Sequence, residues 1–201
     1  MKNPLKITLF GLLLATTFLS SCKKGEDDPF FSLRSRKARI AGEWKVTKMQ
    51  YDESSVSNNT TETSTITYDG TTETTVETYT AMGSTITTTQ TDTYTEQYTF
   101  EKDGTYTYVK KDGSGTVTVE GTWIFLAKSK ENQLKKKEAI MLTETKYTTS
   151  NNTVAYTGIN DGRVITIREL RNKTMVWHST YSETSNGNTD EGELTIKLEQ
   201  N

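Results

Sequence analysis

The chain has 201 residues, 32% of them apolar and about a fifth threonine, a length that suits one compact domain plus a leader. Two prolines and 13 glycines exclude a Pro- or Gly-rich disordered chain. The formal net charge is −2, or −4 from Cys22 onward with 22 basic against 26 acidic side chains, so there is no electrostatic footprint for nucleic acid. One cysteine and one histidine leave little for a metal centre or a nucleophilic triad.

Residues 1–21 begin with Lys2 and Lys6, continue through an apolar run from Ile7 to Leu19, and end in Leu19-Ser20-Ser21 before Cys22. The run is too short for a membrane span and reads as a secretory signal. Small residues followed by the only cysteine resemble the lipobox of bacterial lipoproteins, which implies lipidation of Cys22 and a permanent membrane anchor. No disulfide is available within one chain. Residues 22–29 then read as a disordered, charged tether. Its Lys23-Lys24-Gly25-Glu26-Asp27-Asp28 resembles the export signal of Bacteroidota surface lipoproteins, which implies an outer-membrane protein displayed at the cell surface; a periplasm-facing anchor is the alternative.

Residues 30–201 are expected to form the folded domain. A short helix near Ser35–Ile40 is predicted to cap a barrel mouth, with Phe30, Phe31, Leu33 and Ile40 as its apolar contacts. Its Arg34, Arg36, Lys37 and Arg39 read as a solvated face. The first strand opens at Gly42 and runs through Met49 and Tyr51. Residues 52–92 are Thr-rich, with sparse apolar points at Ile66, Tyr68, Val76, Tyr79, Met82 and Ile86. Alternation among β-branched residues favours long, two-sided-polar strands turning at Asp69-Gly70 and near Met82-Gly83, an extended hairpin, over a disordered loop. Asn58-Asn59-Thr60 and Asn151-Asn152-Thr153 read as plain loop residues.

The clearest signal lies between Tyr94 and Leu126. Tyr94, Glu96, Tyr98 and Phe100 share one face, Asp103-Gly104 turns the chain, Tyr106 and Tyr108 alternate with threonines, and a second turn at Asp112–Gly115 precedes Val117, Val119, Gly121, Trp123 and Phe125. After a charged connection at Lys128–Glu138, further strands are expected around Ile140–Tyr147, Val164–Leu170, Met175–Tyr181 and Leu194–Leu198. The expected fold is all-β, an antiparallel up-and-down meander forming a barrel of about eight to ten strands.

Gly42-x-Trp44, Phe100-Glu101-Lys102-Asp103-Gly104-Thr105 and Gly121-x-Trp123 stand in the order found in the lipocalin-like domain family of Bacteroidota lipoproteins, which the chain resembles over about residues 38–200. The resemblance implies a lipocalin-like barrel whose Trp44 closes the floor against a basic residue on a late strand, Arg168 or Arg171. His178 shares its strand with Met175, Trp177 and Tyr181 and is expected to point outward; no catalytic residue, metal site or cofactor is expected. Glu96, Glu101, Glu120, Glu144 and Glu169 lie in the strand pattern without assignable partners. Trp44, Tyr98, Phe100, Tyr106, Tyr108, Trp123 and Trp177 are candidate ligand-lining residues, and a filled aromatic core is the plainer reading. The functional expectation is a monomeric envelope lipoprotein, not an enzyme, anchored through Cys22 and binding a small apolar or amphipathic ligand or a short glycan. The alternative is a structural or adhesive surface module with a filled core.

Overall fold

Three Asp-Gly sequences set the turns that let the strands follow one another. Asp69 Oδ1 accepts the backbone N–H groups of Thr72 (2.8 Å) and Thr71 (2.9 Å), Asp103 Oδ1 that of Thr105 (2.9 Å), and Asp112 Oδ1 those of Ser114 (2.8 Å) and Gly115 (3.0 Å). A neighbouring hydroxyl also donates to each. These hydrogen bonds, led by the Thr72 and Thr105 N–H groups and the Ser114 hydroxyl respectively, hold the three carboxyls below the usual aspartate range. Gly104 takes φ 102°, a conformation that side chains resist.

The computed structural model describes residues 27–29, 34–57, 59–130, 134–135, 138–156, 162–185 and 188–200. The leader, Cys22, Phe30, Phe31, Leu33 and Asn58 lie outside the described residues. One short helix, α1 (Arg36–Ile40), precedes eleven strands: β1 (Gly42–Ser57), β2 (Thr60–Tyr68), β3 (Thr72–Ala81), β4 (Ser84–Phe100), β5 (Thr105–Asp112), β6 (Gly115–Phe125), β7 (Ala139–Thr148), β8 (Thr153–Ala155), β9 (Gly162–Leu170), β10 (Thr174–Ser185) and β11 (Asn188–Gln200). All pairings are antiparallel, and β1 to β7 followed by β9 to β11 close on one another as a ten-stranded barrel, with β8 added beside β7. The expected meander is the observed fold. Residues 52–92 are strands, turning at Asp69-Gly70 and Met82-Gly83.

Closure differs between the two ends. Gly42–Lys45 of β1 pair directly with Gln97–Phe100 of β4, so the base is a ring of eight. Above that point β1 pairs with β2 and β4 with β3, and the inserted hairpin widens the ring to ten. Tyr68 and Tyr94 fill the fork, their rings stacked at 4.8 Å with the Tyr68 hydroxyl donating to the Tyr94 carbonyl at 3.1 Å. On the outward face, threonines form cross-strand rows such as Thr63–Thr78–Thr87 and Thr61–Thr80–Thr85. The hydroxyls of Thr80 and Thr85 meet at 3.0 Å. This is how so threonine-rich a chain makes stable strands: β-branched stems suit the pleat and the hydroxyls face water.

The base is sealed from below by α1, whose Ser35 cap accepts the Ala38 N–H at 3.1 Å. Here two sequence expectations are corrected. Arg36 and Arg39 do not sit on a solvated face; both are buried, Arg36 paired with Asp28 and Arg39 donating to the Leu170 carbonyl. Nor does the disordered tether extend to residue 29. Asp27 donates its N–H to the Arg168 carbonyl (2.9 Å) and accepts from Arg168 Nε (2.9 Å), while Asp28 accepts the Leu170 N–H at 2.8 Å. The physical reason is that a helix over a barrel end buries its inner face whatever its sequence, and cations there need carboxylate or carbonyl partners. Burial lowers the Arg36 pKa, and the Asp28 charge opposes that shift. Trp44 is fully buried at the floor and donates its indole N–H to the Ile40 carbonyl at 2.7 Å. Of the two late-strand arginines, Arg168 engages Asp27 and Arg171 engages Glu169 at 2.8 Å.

The Asp28–Arg36 side chains are 0% and 4% exposed, so Asp28→Ala should leave a buried uncompensated charge and cost about 3–5 kcal/mol by denaturant unfolding. Lys146→Ala, which breaks an exposed pair with Glu120 (side chains 41% and 46% exposed), should cost no more than about 1 kcal/mol.

Candidate functional site

Side chains pointing into the barrel change character along the strands. At the base, Phe100 is fully buried and meets Trp123 edge-on at 5.8 Å, Trp177 edge-on at 6.4 Å, Tyr98 stacked at 6.0 Å and Tyr106 at 6.2 Å. Gly121, the glycine of the second Gly-x-Trp, is required here. A Cβ would strike the Thr143 carbonyl and the Tyr106 ring, so only glycine lets the ring lie against the strand. The Trp123 indole donates to the Glu101 carbonyl at 3.1 Å, in the β4–β5 turn rather than on a strand. The Trp177 indole N–H has no partner among the described residues.

Immediately above this aromatic layer lies a cavity of about 230 Å³. Met49, Val119, Leu142, Leu194 and Ile196 form its apolar wall; Tyr98, Tyr106, Tyr108, Glu96, Glu144 and Arg163 form the polar one. Three of the seven candidate aromatics, Tyr98, Tyr106 and Tyr108, therefore line a cavity. Trp44, Phe100, Trp123 and Trp177 belong to the packed layer beneath it. Tyr108 donates to Glu96 Oε1 at 2.7 Å. Tyr98 and Tyr106 are only 7% and 4% exposed, yet neither hydroxyl has a hydrogen-bond partner among the described residues. Burial, and after it the Glu144 carboxylate, pushes Tyr106 up to about 12; burial and the Glu96 charge raise Tyr98 and Tyr108.

The sequence reading left Glu96 and Glu144 without assignable partners and missed Arg163. Both kinds of residue carry a period-two signal: Glu96 alternates with Tyr94 and Tyr98, and Arg163 stands two residues before inward-facing Ile165. Of the other strand acids, Glu120 pairs outside with Lys146 at 2.7 Å. His178 lies on the outward face, its Nδ1 3.3 Å from the Thr195 hydroxyl. Among the described residues no group of three metal-ligating side chains converges.

Farther out, two inward glutamates are held by tyrosines. Tyr181 donates to Glu53 at 2.6 Å, and Tyr94 donates to Glu73. A second cavity of about 530 Å³, between the upper halves of β1 to β4, is walled by Glu53, Glu62, Glu77, Tyr79 and Ile86 with serines and threonines, and no lysine or arginine lines it. The ring is also incompletely laced on one side. β9 and β10 pair only from Leu170–Met175 to Thr166–His178, so the upper parts of both strands, Arg163 included, are unpaired along that seam.

No protein-family model matches the chain, and no curated protein matches it. Among solved structures, it is similar to a porin-like protein from Bacteroides uniformis ATCC 8492, with 13% identity and a TM-score of 0.31 over 76% of this chain and 95% of that one. The wall described above has the opposite polarity to a lipid-facing barrel: aromatic and aliphatic side chains fill its base, and threonines, lysines and glutamates cover its outside.

The buried tyrosines give a pH signature. Their folded pKa values lie above the unfolded value of about 10, so they stabilise the fold fully below that pH and less as pH rises through the folded values. Alkaline titration followed by tyrosinate absorbance should show Tyr98, Tyr106 and Tyr108 still protonated at about pH 10, then ionising together with loss of near-UV circular dichroism. Ionisation of all ten tyrosines near the free value with the fold intact would contradict the buried placement.

Proposed function

We propose that this chain is a lipocalin-like lipoprotein of the cell envelope, a binding protein rather than an enzyme, holding a small amphipathic ligand inside the upper barrel. One observation carries the reading: Tyr98 and Tyr106, only 7% and 4% exposed, open their hydroxyls, without protein partners among the described residues, into a cavity that is also lined by aliphatic side chains. A hydroxyl opening into such a cavity is free to bond a ligand or an ordered water. At about 230 Å³ the cavity falls just below the range of drug-sized pockets, which favours a compact ligand. The fully packed base beneath explains how the barrel stays stable while leaving that space.

The lipoprotein part rests on residues 1–22, and the floor supports it geometrically. Asp27 and Asp28 bind the closed end, so an anchor at Cys22 lies within about 18 Å of the floor even at full extension. The mouth then faces away from the membrane, toward the compartment that supplies the ligand. Cys22→Ser should move the protein from the membrane to the soluble fraction and abolish incorporation of labelled palmitate; retention in the membrane would remove the anchor from this reading.

Native mass spectrometry of the protein purified gently from its own host tests the ligand. The expected result is a co-purifying small molecule that is lost from the Tyr98→Phe, Tyr106→Phe double variant while the fold persists. A clean apo mass, with a thermal midpoint unmoved by lipids, oligosaccharides and amines, would instead favour a surface module. The regular threonine rows of β2 to β4 would then be the face to test for partners.

A further inference from the structure

Carboxylates outnumber cations along the cavity and its approach. Glu96 and Glu144 are half-buried in its polar wall. Glu96 receives the Tyr108 hydroxyl on one oxygen, and Glu144 has no hydrogen bond or ion pair among the described residues. Arg163, the one cation in the lining, is exposed beside the unpaired part of the β9–β10 seam. Its charge opposes theirs at Tyr98 and Tyr106, and Lys110, opposite Glu96 on the ladder and over the Tyr94 ring at 3.7 Å, is a second cation on the inward face. Farther out on the same inward face, Glu53, Glu62 and Glu77 wall the wider cavity without a lysine or arginine in its lining. An ion entering from the mouth meets negative charge first, and carboxylates outnumber cations along the rest of its path.

We propose that the ligand is a small organic cation, an ammonium group carried on an apolar body; this deepens, and rests on, the reading that the cavity is a binding site. The ammonium sits against Glu144 and the free oxygen of Glu96, with the Tyr98 or Tyr106 hydroxyl accepting its third N–H. Tyrosine faces add cation–π attraction. The body packs on Met49, Val119, Leu142, Leu194 and Ile196, which offer nothing to a polar chain such as a sugar. The unpartnered tyrosine hydroxyls are an observation independent of the acids, and each can accept a hydrogen bond from an ammonium group. The acidic mouth raises the local concentration of cations and repels anions of the same shape.

Three probes of matched shape separate charge from fit: phenethylamine, 2-phenylethanol and 3-phenylpropionate, titrated calorimetrically into the full-length protein in neutral detergent. Phenethylamine should bind about tenfold or more tighter than the alcohol, with the carboxylate weakest, and the advantage should shrink as salt is raised. Glu144→Gln should bring the amine down to the level of the alcohol at an unchanged thermal midpoint, and Arg163→Gln should tighten amine binding. If Glu144→Gln fails to fold, Glu62→Gln with Glu77→Gln serves as the second variant, expected to lessen the salt dependence. Equal binding of all three probes, or tightest binding of the carboxylate, would overturn the cation assignment while leaving a ligand-binding cavity. Binding of none would overturn the cavity reading and this one with it.

Discussion

Four direct pairs between β1 and β4, from Gly42–Phe100 to Lys45–Gln97, decide the shape of everything above them. Barrel diameter grows with strand number, and an eight-stranded ring is just wide enough for side chains to fill. The base obeys that rule: Trp44, Phe100, Trp123 and Trp177 occupy it completely. Once β2 and β3 enter between β1 and β4, the ring holds ten strands and the same kind of inward alternation no longer fills it. The cavity begins where the ring widens, with Met49 just above the fork and Tyr98 just beside it. The Thr-rich segment thus makes room at the site without supplying the wall of the inner cavity, to which it contributes no side chain.

A ring of inward carboxylates repels itself, and the structure answers this with phenols. Tyr108 donates to Glu96, Tyr94 to Glu73 and Tyr181 to Glu53, three pairs at three heights along the lumen. A hydrogen bond to an ionised acceptor is about twice as strong as a neutral one. The tyrosines thereby do two jobs along one face. Their rings bury area in a domain short of aliphatic residues, and their hydroxyls give inward acids a hydrogen-bond donor.

Much of this was legible because strands report their faces every second residue. The turns at Asp69, Asp103 and Asp112, the meander, and the inward run Tyr94-Glu96-Tyr98-Phe100 follow from local chemistry alone. What sequence could not show is where one wall meets another. Glu96 and Glu144 share a cavity only because ladder register and the bulge at Glu120/Gly121 bring β4 and β7 to the same height. Likewise, Arg36 and Arg39 carry the pattern of a solvated helix face. Their burial depends on Asp28 and on the Leu170 carbonyl, the latter 131 residues from Arg39. Charge runs are read as exposed because most are; the exception arises when a distant group supplies the partner.

That exception bears on how the N-terminal segment is understood. Lys23 to Asp28 resembles an export signal through its acids, yet Asp27 and Asp28 are also structural: one clamps Arg168, the other neutralises Arg36 and caps the Leu170 N–H. A signal read by a transport machine must be accessible, whereas Asp28 is buried in the folded domain. If Asp28 serves recognition, it does so before the floor closes; Asp27, whose side chain is 47% exposed, and Glu26, upstream of the clamp, are the other candidate acids. Replacing all three acids together confounds these roles, because loss of the floor alone lowers stability and abundance. Glu26→Gln with Asp27 and Asp28 intact separates them, since it removes charge from the tether and leaves every described floor contact in place.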